Sequence, residues 1–244
     1  MSIHIPVLPD EIVEALDPQP GDVIVDGTLG GGGHTRLLAQ CVGPTGLVLG
    51  IDRDAAPVEA AESWAAGMPI AVAQANYAEA GSVLAELDHT HAEGIVLDLG
   101  LSSDQLADTD RGFSFHSEGP LDLRFDTSRG EPASRLLERL GADHLADLIY
   151  QYGEERYSRR IARRIVERRR EKPIASAAEL AALVRAAVPR NYDPKIDAAT
   201  RTFQALRIAV NEELVWLERG LKSLPDCLAP GGKLAIISFH SLED

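Results

Sequence analysis

The order of apolar and polar positions between Asp22 and Gly100 predicts short strands that alternate with helices. Stretches of helical periodicity separate four short runs rich in β-branched residues, which are DVIVD, GLVLGID, PIAVAQAN and GIVLDLG. Parallel strands cannot be joined by a tight turn and need a crossover connection, which is usually a helix. The alternation therefore predicts a parallel sheet of the α/β class.

The pattern changes after Gly100, because the next strand-like run, KLAIISF, begins only at Lys233. Helices are predicted at 136–150, 154–171 and 176–188, punctuated by Gly141, Gly153 and Pro173. A longer helix from about residue 198 would have an apolar face made of Phe203, Leu206, Val210, Leu214, Leu217 and Leu221. The predicted fold is a doubly wound α/β sheet with an inserted helical domain, closed by Pro230-Gly231-Gly232 turning into a fifth strand. Residues 1–104 and 199–244 would form the sheet domain, and residues 105–198 the insertion.

The composition is that of a globular protein with one large domain or one domain carrying an insertion, since 244 residues are 45% hydrophobic and 25% charged. No apolar run approaches the roughly 18 residues that a membrane span needs, and the N-terminal residues do not resemble a signal peptide. We therefore expect a cytoplasmic protein without a membrane partner. Cys41 and Cys227 are far apart and lack metal-ligand spacing, so we expect neither a disulfide framework nor a cysteine zinc site, and no metal ligand is assigned.

Charge is segregated along the chain. The net charge is −14, yet residues 151–172 contain eight arginines and one lysine against four glutamates, a net of +5. The acidic remainder argues against a protein that coats nucleic acid non-specifically, but a local basic face is possible. On a helix from Glu154, an arc of about 140° would contain Arg156, Arg159, Arg160, Arg163, Arg164 and Arg170, with Ile161 and Ile165 pointing elsewhere. This arginine stripe predicts binding to the phosphates of a nucleic acid, and the alternative is an ordinary solvated helix face.

A glycine-rich loop follows the first strand in VIVDGTLGGGGHTRLL, and a helix begins directly after it. Glycines allow a ligand to approach the backbone, and a helix N-terminus offers N–H groups without intrahelical partners. The dinucleotide fingerprint G-x-G-x-x-G fails in both possible frames, because Thr35 and Arg36 stand where the third glycine would be. No Lys-Ser or Lys-Thr pair follows the loop, so the loop of nucleoside triphosphate enzymes does not fit either.

The ends of the predicted strands form an acidic rim. The second strand ends at Asp52, 19 residues after Gly33, where a carboxylate can accept hydrogen bonds from both ribose hydroxyls of a nucleoside. Asp26 and Asp98 end the first and fourth strands, so a ligand with a positive centre suits this rim better than one with phosphates. S-adenosyl-L-methionine has an adenosine, an amino acid end and a sulfonium, and it is the cofactor that we infer. The alternative is a tight glycine-rich turn beside a surface aspartate.

Seven motifs in order resemble those of one known family. They are DGTLGGGGHT, GIDRD, LDLGLSSDQL, RGFSF followed by GPLDLR, YGEERYSRRIA, ATRTFQALRIAVNEEL and GGKLAIISFHSLED, and the likeness runs from His4 to Asp244. The chain looks like a member of the RsmH (MraW) family, the bacterial small-subunit ribosomal RNA cytosine N4-methyltransferases. The resemblance implies a Rossmann-type S-adenosylmethionine-dependent methyltransferase with an inserted helical substrate domain. It also implies methyl transfer to a cytosine in the decoding region of 16S ribosomal RNA, with the small ribosomal subunit as partner.

The same resemblance assigns cofactor contacts to individual positions. Carried over motif by motif, these positions are Gly32, Gly33, His34, Asp52, Tyr77, Asp98 and Gln105. Tyr77 would stack on the adenine, and His34 would contribute its backbone amide more than its imidazole.

The catalytic base is left open by the sequence. The exocyclic amine of cytosine is a weak nucleophile because its lone pair is delocalised into the ring, and a nearby hydrogen-bond acceptor would favour attack and receive a proton. Asp98 is the first candidate by position, and Ser102 and His240 are further candidates. The Pro-Pro that follows an Asp or Asn in many amino-methyltransferases is absent from DLGLSS. Aromatic candidates to hold the unstacked base are Phe113, Phe115, Phe239 and His240, with core packing as the alternative for the phenylalanines.

Two departures from the family pattern bear on these expectations. Asp197-Ala198 stand where the family usually has His-Pro, and family members continue beyond SFHSLED. We expect the fifth strand to present an open edge, so that this chain self-associates, binds cofactor weakly and has little activity, unless the sequence is a fragment of a longer protein. Two other functions stay open, namely a methyltransferase of the same fold with another substrate and a non-catalytic ribosome-assembly factor. Three further points stay open: the oligomeric state, whether a metal assists the reaction, and whether free RNA or the assembled subunit is the substrate.

Overall fold

The structure, a computed structural model, describes residues 6–189, 192 and 196–244, which form two compact units. The first unit comprises the chain up to Ser103 together with Leu214–Asp244, and the second comprises Asp104–Glu213. Among the described residues, every helix is too short or too polar to span a bilayer.

The first unit is built on a parallel sheet of five strands. In chain order the strands are β1 (Val23–Asp26), β2 (Leu47–Asp52), β3 (Ile70–Gln74), β4 (Ala92–Asp98) and β5 (Leu228–Ile237). Their order across the sheet is β3-β2-β1-β4-β5, and every neighbouring pair is parallel. The predicted α/β fold class is confirmed, and the strand order reverses between β1 and β4.

Helices cover the sheet of the first unit and build most of the second. In the part of the chain that the structure describes, they are α1 (Pro9–Leu16), α2 (Gly33–Val42), α3 (Ala55–Trp64), α4 (Ala80–Glu86), α5 (Ser103–Ala107), α6 (Ala133–Arg139), α7 (Ala142–Gly153), α8 (Ser158–Glu171), α9 (Ala177–Ala187), α10 (Thr200–Asn211) and α11 (Glu213–Ser223). Helices α1 to α4 and nearly all of α11 belong to the first unit, and α6 to α10 belong to the second.

Both faces of the sheet are buried because strand residues alternate between two apolar clusters. Ile24 faces a cluster that includes Leu38 of α2. The next residue, Val25, faces the opposite cluster, which includes Leu84 of α4 and Leu217 of α11. Successive side chains of a strand point to opposite faces, so a strand covered by helices on both sides is apolar at consecutive positions.

The second unit packs its helices around a core of its own. α7 packs against α8 and α10, and α8 packs against α9 and α6. Arg168 of α8 pairs with Glu179 of α9 at 2.7 Å. Arg169 donates to the carbonyl oxygens of Leu137 and Leu140, which satisfies acceptors at the end of α6 that lack intrahelical partners. These two arginines therefore stabilise the packing of α8 and do not belong to its exposed stripe.

The helix predicted at 136–150 is two helices in the structure, so that prediction was wrong. α6 ends at Arg139, and α7 begins after Gly141, whose extended backbone (φ −68°, ψ 163°) forms the N-cap. The punctuating glycine at 141 therefore marks the break itself, although the apolar periodicity continues on both sides of it.

The long helix predicted from about residue 198 is also interrupted. Glu212 has a left-handed backbone (φ 52°) that ends α10 before α11 begins. Directly before the break, Asn211 is 2% exposed, and its amide donates to the Leu123 carbonyl at 2.7 Å and accepts the Phe125 N–H at 2.8 Å. This buried amide fixes the end of α10 to a loop of the second unit. The predicted continuous apolar face is therefore wrong, and Leu221 of α11 is 48% exposed.

The second domain boundary lies later in the structure than in the sequence analysis. The sequence predicts that residues from 199 onward belong to the sheet domain, whereas the chain up to Glu213 groups with the helical unit. The physical reason is the close packing of α10 along α7. At this contact, a Cβ on Gly153 would lie 2.3 Å from the Arg201 carbonyl oxygen.

β5 begins earlier than predicted, and Pro230-Gly231-Gly232 lie inside it. The pairing of β5 with β4 shifts its register between Ala92 and Gly94. Residues 229–232 of β5 lie within this irregularity, where Gly231 has a φ of 85°. Within the described residues β5 is an edge strand. Self-association through this strand stays a prediction.

Candidate active site and nucleic-acid interface

The glycine loop between β1 and α2 is anchored to the strands on both sides of β1. The Gly27 N–H donates to the Val96 carbonyl of β4 at 2.9 Å. The Gly30 N–H donates to the Asp52 carboxylate at the end of β2, also at 2.9 Å. The loop therefore lies at the carboxyl edge of the sheet, beside the reversal in strand order, where ligands bind in open α/β sheets.

Trp64 and Arg36 support the loop. Gly32 has a φ of 74° and leads into α2, whose first residue is Gly33. A Cβ on Gly32 would lie 2.3 Å from the Trp64 ring. The guanidinium carbon of Arg36 lies 3.7 Å from the centre of that ring, and the side chain donates to the Gly31 carbonyl at 2.9 Å. Position 32 therefore requires glycine for both its backbone conformation and its contact with Trp64.

Asp52 is held by backbone donors at the end of β2. Its two carboxylate oxygens accept the N–H groups of Gly30 and Asp54, each at 2.9 Å. Burial raises the pKa of Asp52 to about 6, and the nearby charges of Asp54 and Asp26 act in the same direction while the two hydrogen bonds oppose it. Asp52 is therefore a carboxylate at neutral pH, with lone pairs left for a ligand.

Asp26 is a structural member of the rim and does not present its carboxylate to solvent, since it is 1% exposed. Its oxygens accept the Thr35 hydroxyl at 2.6 Å and the Thr28 N–H at 3.1 Å. Burial raises the pKa of Asp26, against the effect of these hydrogen bonds. The Thr28 hydroxyl accepts the Asp98 N–H at 2.7 Å, which ties the end of β4 to the loop.

The imidazole of His34 is buried beside the glycine loop, and a cofactor contact through the His34 backbone amide stays a prediction. His34 is 4% exposed, and its Nε2 lies 2.9 Å from the Val7 carbonyl oxygen. A carbonyl oxygen only accepts, so Nε2 is the donor and carries the proton. Nδ1 lies 3.7 Å from a carboxylate oxygen of Asp98. The side chain thus links the glycine loop to the residue that ends β4.

Asn76 and Tyr77 follow β3. The Asn76 carbonyl oxygen accepts the Ala78 N–H at 2.9 Å, while its buried Nδ2 has no hydrogen-bond partner within the described part of the chain. Tyr77 is 9% exposed, and its ring packs so closely on Gly220 of α11 that a Cβ there would lie 2.7 Å away. Stacking of Tyr77 on adenine stays a prediction, as does the role of Gln105, which is buried in α5 at the start of the second unit.

The candidate catalytic residues differ in their relation to the glycine loop. Asp98 is tied to it through its backbone, and Ser102 lies next to it, with its Cβ 3.4 Å from the position that a Cβ on Gly30 would occupy. His240 lies beside Glu243, and its Nε2 is 3.1 Å from a carboxylate oxygen. Among the described residues, no group of three His, Cys, Asp or Glu side chains has the arrangement of a metal site.

The aromatic candidates divide into core residues and an exposed one. Phe113 is 3% exposed and stacks on Phe125 with ring centres 5.8 Å apart. Phe115 packs edge-on against Phe203 at 5.3 Å. These contacts favour core packing for both residues. Phe239, by contrast, is 58% exposed.

The arginine stripe lies on the exposed face of α8. Ile161 and Ile165 on the opposite face are fully buried, as predicted, and the exposed helical arginines are Arg159, Arg160, Arg163, Arg164 and Arg170. Arg156 was wrongly placed in this helix, because the left-handed backbone of Glu154 (φ 50°) ends α7 and α8 begins only at Ser158. Arg164 has a 3.5 Å contact with exposed Glu167, which is weak in solvent. Binding of the stripe to RNA stays a prediction.

A parallel sheet with a glycine loop after its first strand and a carboxylate anchoring that loop after its second defines an α/β domain of the kind that binds a nucleoside cofactor. The chain belongs to the MraW methylase family, whose sequence profile matches residues 1–244. The protein is accordingly a methyltransferase, and S-adenosyl-L-methionine is the methyl donor that this family membership implies.

Similar proteins include enzymes of ribosomal RNA modification. The ribosomal RNA small subunit methyltransferase H of Syntrophotalea carbinolica is 50% identical over 99% of this chain and 78% of its own length. The protein of the same name from Deinococcus radiodurans is 51% identical over 99% of this chain and 75% of its own length. A solved S-adenosylmethionine-dependent O-methyltransferase from Thermotoga maritima is 24% identical over 41% of this chain and 37% of its own, with a TM-score of 0.34. The family assignment rests on the first two likenesses and on the family profile.

Proposed function

We propose that this chain transfers a methyl group from S-adenosyl-L-methionine to the exocyclic N4 amine of a cytosine in 16S ribosomal RNA, in the bacterial cytoplasm. The observation that supports this proposal above the others is the 50% identity to a small-subunit ribosomal RNA methyltransferase. The anchoring of the glycine loop on Asp52 agrees with it. We extend the proposal to the decoding region as the site of methylation and to the small ribosomal subunit as the partner.

The residues present at the sheet edge fit this cofactor. Asp52 offers carboxylate lone pairs to two ribose hydroxyls, and Gly30 and Gly31, which are partly exposed, carry no side chain that would keep a ligand from the loop backbone. The buried amide group of Asn76 is a donor whose partner an adenine ring nitrogen would supply. When bound, the cofactor supplies a methyl group activated by a sulfonium.

Lowering the pH from about 7.5 to about 5 is expected to weaken cofactor binding about tenfold, because Asp52, with its pKa raised to about 6, becomes protonated across this interval and loses its charge as an acceptor. Calorimetric titration at both pH values measures the effect. The Asp52→Asn variant cannot ionise and serves as the control, so its affinity should change little. Equal pH dependence in the two proteins would assign the effect to another group.

Asp98 is the residue that we assign to the substrate amine. Asp98 ends β4, and its backbone N–H donates to the Thr28 hydroxyl in the glycine loop. Its carboxylate lies 3.7 Å from His34 Nδ1. An acceptor in this place would orient the N4 lone pair and receive the amine proton once the new N–C bond has formed. Since the sulfonium provides a good leaving group, the remaining contribution of the protein is alignment and exclusion of water.

The test is methyl incorporation from labelled cofactor into free 16S ribosomal RNA and into assembled small subunits that lack the modification. We expect N4-methylcytidine after nuclease digestion and mass spectrometry, with large-subunit RNA as the negative control. Incorporation into all RNAs alike would contradict the substrate assignment and favour a methyltransferase of broader specificity. Binding of cofactor and RNA without any transfer would favour the non-catalytic assembly factor.

A further inference from the structure

The motif YGEERYSRRIA contributes Glu155 and Tyr157 to a side-chain cluster that neither the cofactor site nor the arginine stripe on α8 explains. In this cluster the buried carboxylate of Glu155 contacts both Tyr157, directly before α8, and Tyr192. All three residues belong to the second unit. Tyr157 and Tyr192 are called the tyrosine pair below.

Glu155 fixes the tyrosine pair in place. It is 0% exposed, and its two oxygens accept the Tyr157 N–H at 2.7 Å and the Tyr192 hydroxyl at 2.6 Å. Burial and the contact with Glu155 raise the pKa of Tyr192 to about 12, so the hydroxyl keeps its proton and remains a donor at neutral pH. A buried carboxylate is costly unless its hydrogen bonds are satisfied, and satisfied networks hold their members rigidly. The ring of Tyr192 is therefore held against the start of α8.

The tyrosine pair combines aromatic surface with positive charge. The two ring centres are 6.1 Å apart with their planes at 51°, and both side chains are only partly buried. The exposed guanidinium of Arg156 lies 4.9 Å from the centre of the Tyr157 ring. The charges of Arg201 and Arg156 also act on the Tyr192 hydroxyl. The arginine stripe continues directly from this cluster along α8.

We propose that the tyrosine pair, with Arg156, stacks on an unpaired base of the RNA substrate while the arginine stripe contacts the neighbouring phosphates. The inference rests on the proposed function, in which RNA is the substrate. Every base has a π face, so aromatic rings and guanidinium planes hold unpaired bases with little regard to sequence. The bases of an RNA duplex are already stacked on one another, and its deep major groove is too narrow for side chains. The occupant is therefore a loop, bulge or single-stranded end.

The test is a titration with a short single-stranded RNA containing a fluorescent purine analogue whose emission is quenched by stacking. The wild-type chain is expected to bind the RNA and quench it. Tyr157→Leu and Tyr192→Leu should each weaken binding about tenfold and lose most of the quenching, while the slope of log affinity against log salt stays unchanged. Tyr157→Phe keeps the ring and should behave like the wild type. A duplex of the same sequence should bind wild type and variants equally.

Tyr150→Leu is the matched control, because Tyr150 is 62% exposed on α7 of the same unit; it should bind and quench like the wild type. Undiminished quenching by both leucine variants would overturn the stacking site and leave the proposed function intact. Equal losses in Tyr157→Leu and Tyr157→Phe, accompanied by a lower melting temperature, would also overturn it, since they indicate a purely structural role. A wild-type chain that binds neither RNA would refute the proposed function and this inference together.

Discussion

Replacement of Asp52 by alanine is expected to weaken S-adenosyl-L-methionine binding by roughly 10- to 150-fold. In the proposed complex the ribose hydroxyls donate to this carboxylate, and hydrogen bonds to a charged acceptor contribute about 1.5 to 3 kcal/mol. The substitution also removes the acceptor for the Gly30 and Asp54 N–H groups, which loosens the glycine loop. Isothermal titration calorimetry measures the loss of affinity directly.

Two further variants separate recognition of the ribose from support of the loop. Asp52→Asn keeps one acceptor for the loop but has no charge, so its loss should be smaller than that of the alanine variant. Glu62→Ala removes an exposed carboxylate from α3 of the same unit and should leave affinity unchanged. Wild-type affinity in Asp52→Ala would sink the assignment of Asp52 to the ribose.

Charge reversal at Arg160 and Arg164 is expected to weaken RNA binding more than tenfold at roughly 0.1 M salt, because two phosphate contacts are lost and two acidic groups repel the backbone. The slope of log affinity against log salt should become less steep by about 1.4 to 1.8, the contribution of two released counterions. Cofactor affinity should not change, since the glycine loop and Asp52 belong to the other unit. Filter binding or fluorescence anisotropy over a salt series provides both quantities.

The matched control reverses Arg135 and Arg139, two exposed arginines of α6 in the same unit. These side chains already pair with Glu138 and Glu131, so their reversal changes the net charge equally without removing the stripe. We expect a much smaller effect on RNA affinity. Equal losses in the two double variants would mean that total charge, and not the stripe on α8, controls binding.

The parallel sheet, the glycine loop and Asp52 were predictable because each depends on residues close together in the sequence. Consecutive apolar residues in VIVD and LVLGID, such as Ile24 and Val25, indicate strands buried on both faces, because the side-chain periodicity of a strand is two. The same local periodicity predicted the buried isoleucines of α8. It did not predict the break at Glu212, because a left-handed residue interrupts a helix without changing the apolar pattern on either side.

Contacts between distant residues were decided by the tertiary structure alone. Trp64 packs against Gly32 because α3 folds back on the loop, and His34 lies 3.7 Å from Asp98 because β4 lies beside β1 in the sheet. Tyr192 reaches Glu155 in the same way, from a position 37 residues further along the chain. A sequence pattern records which face of its own element a residue occupies. Which element covers that face depends on the packing of the whole unit, so these partners had no local signal.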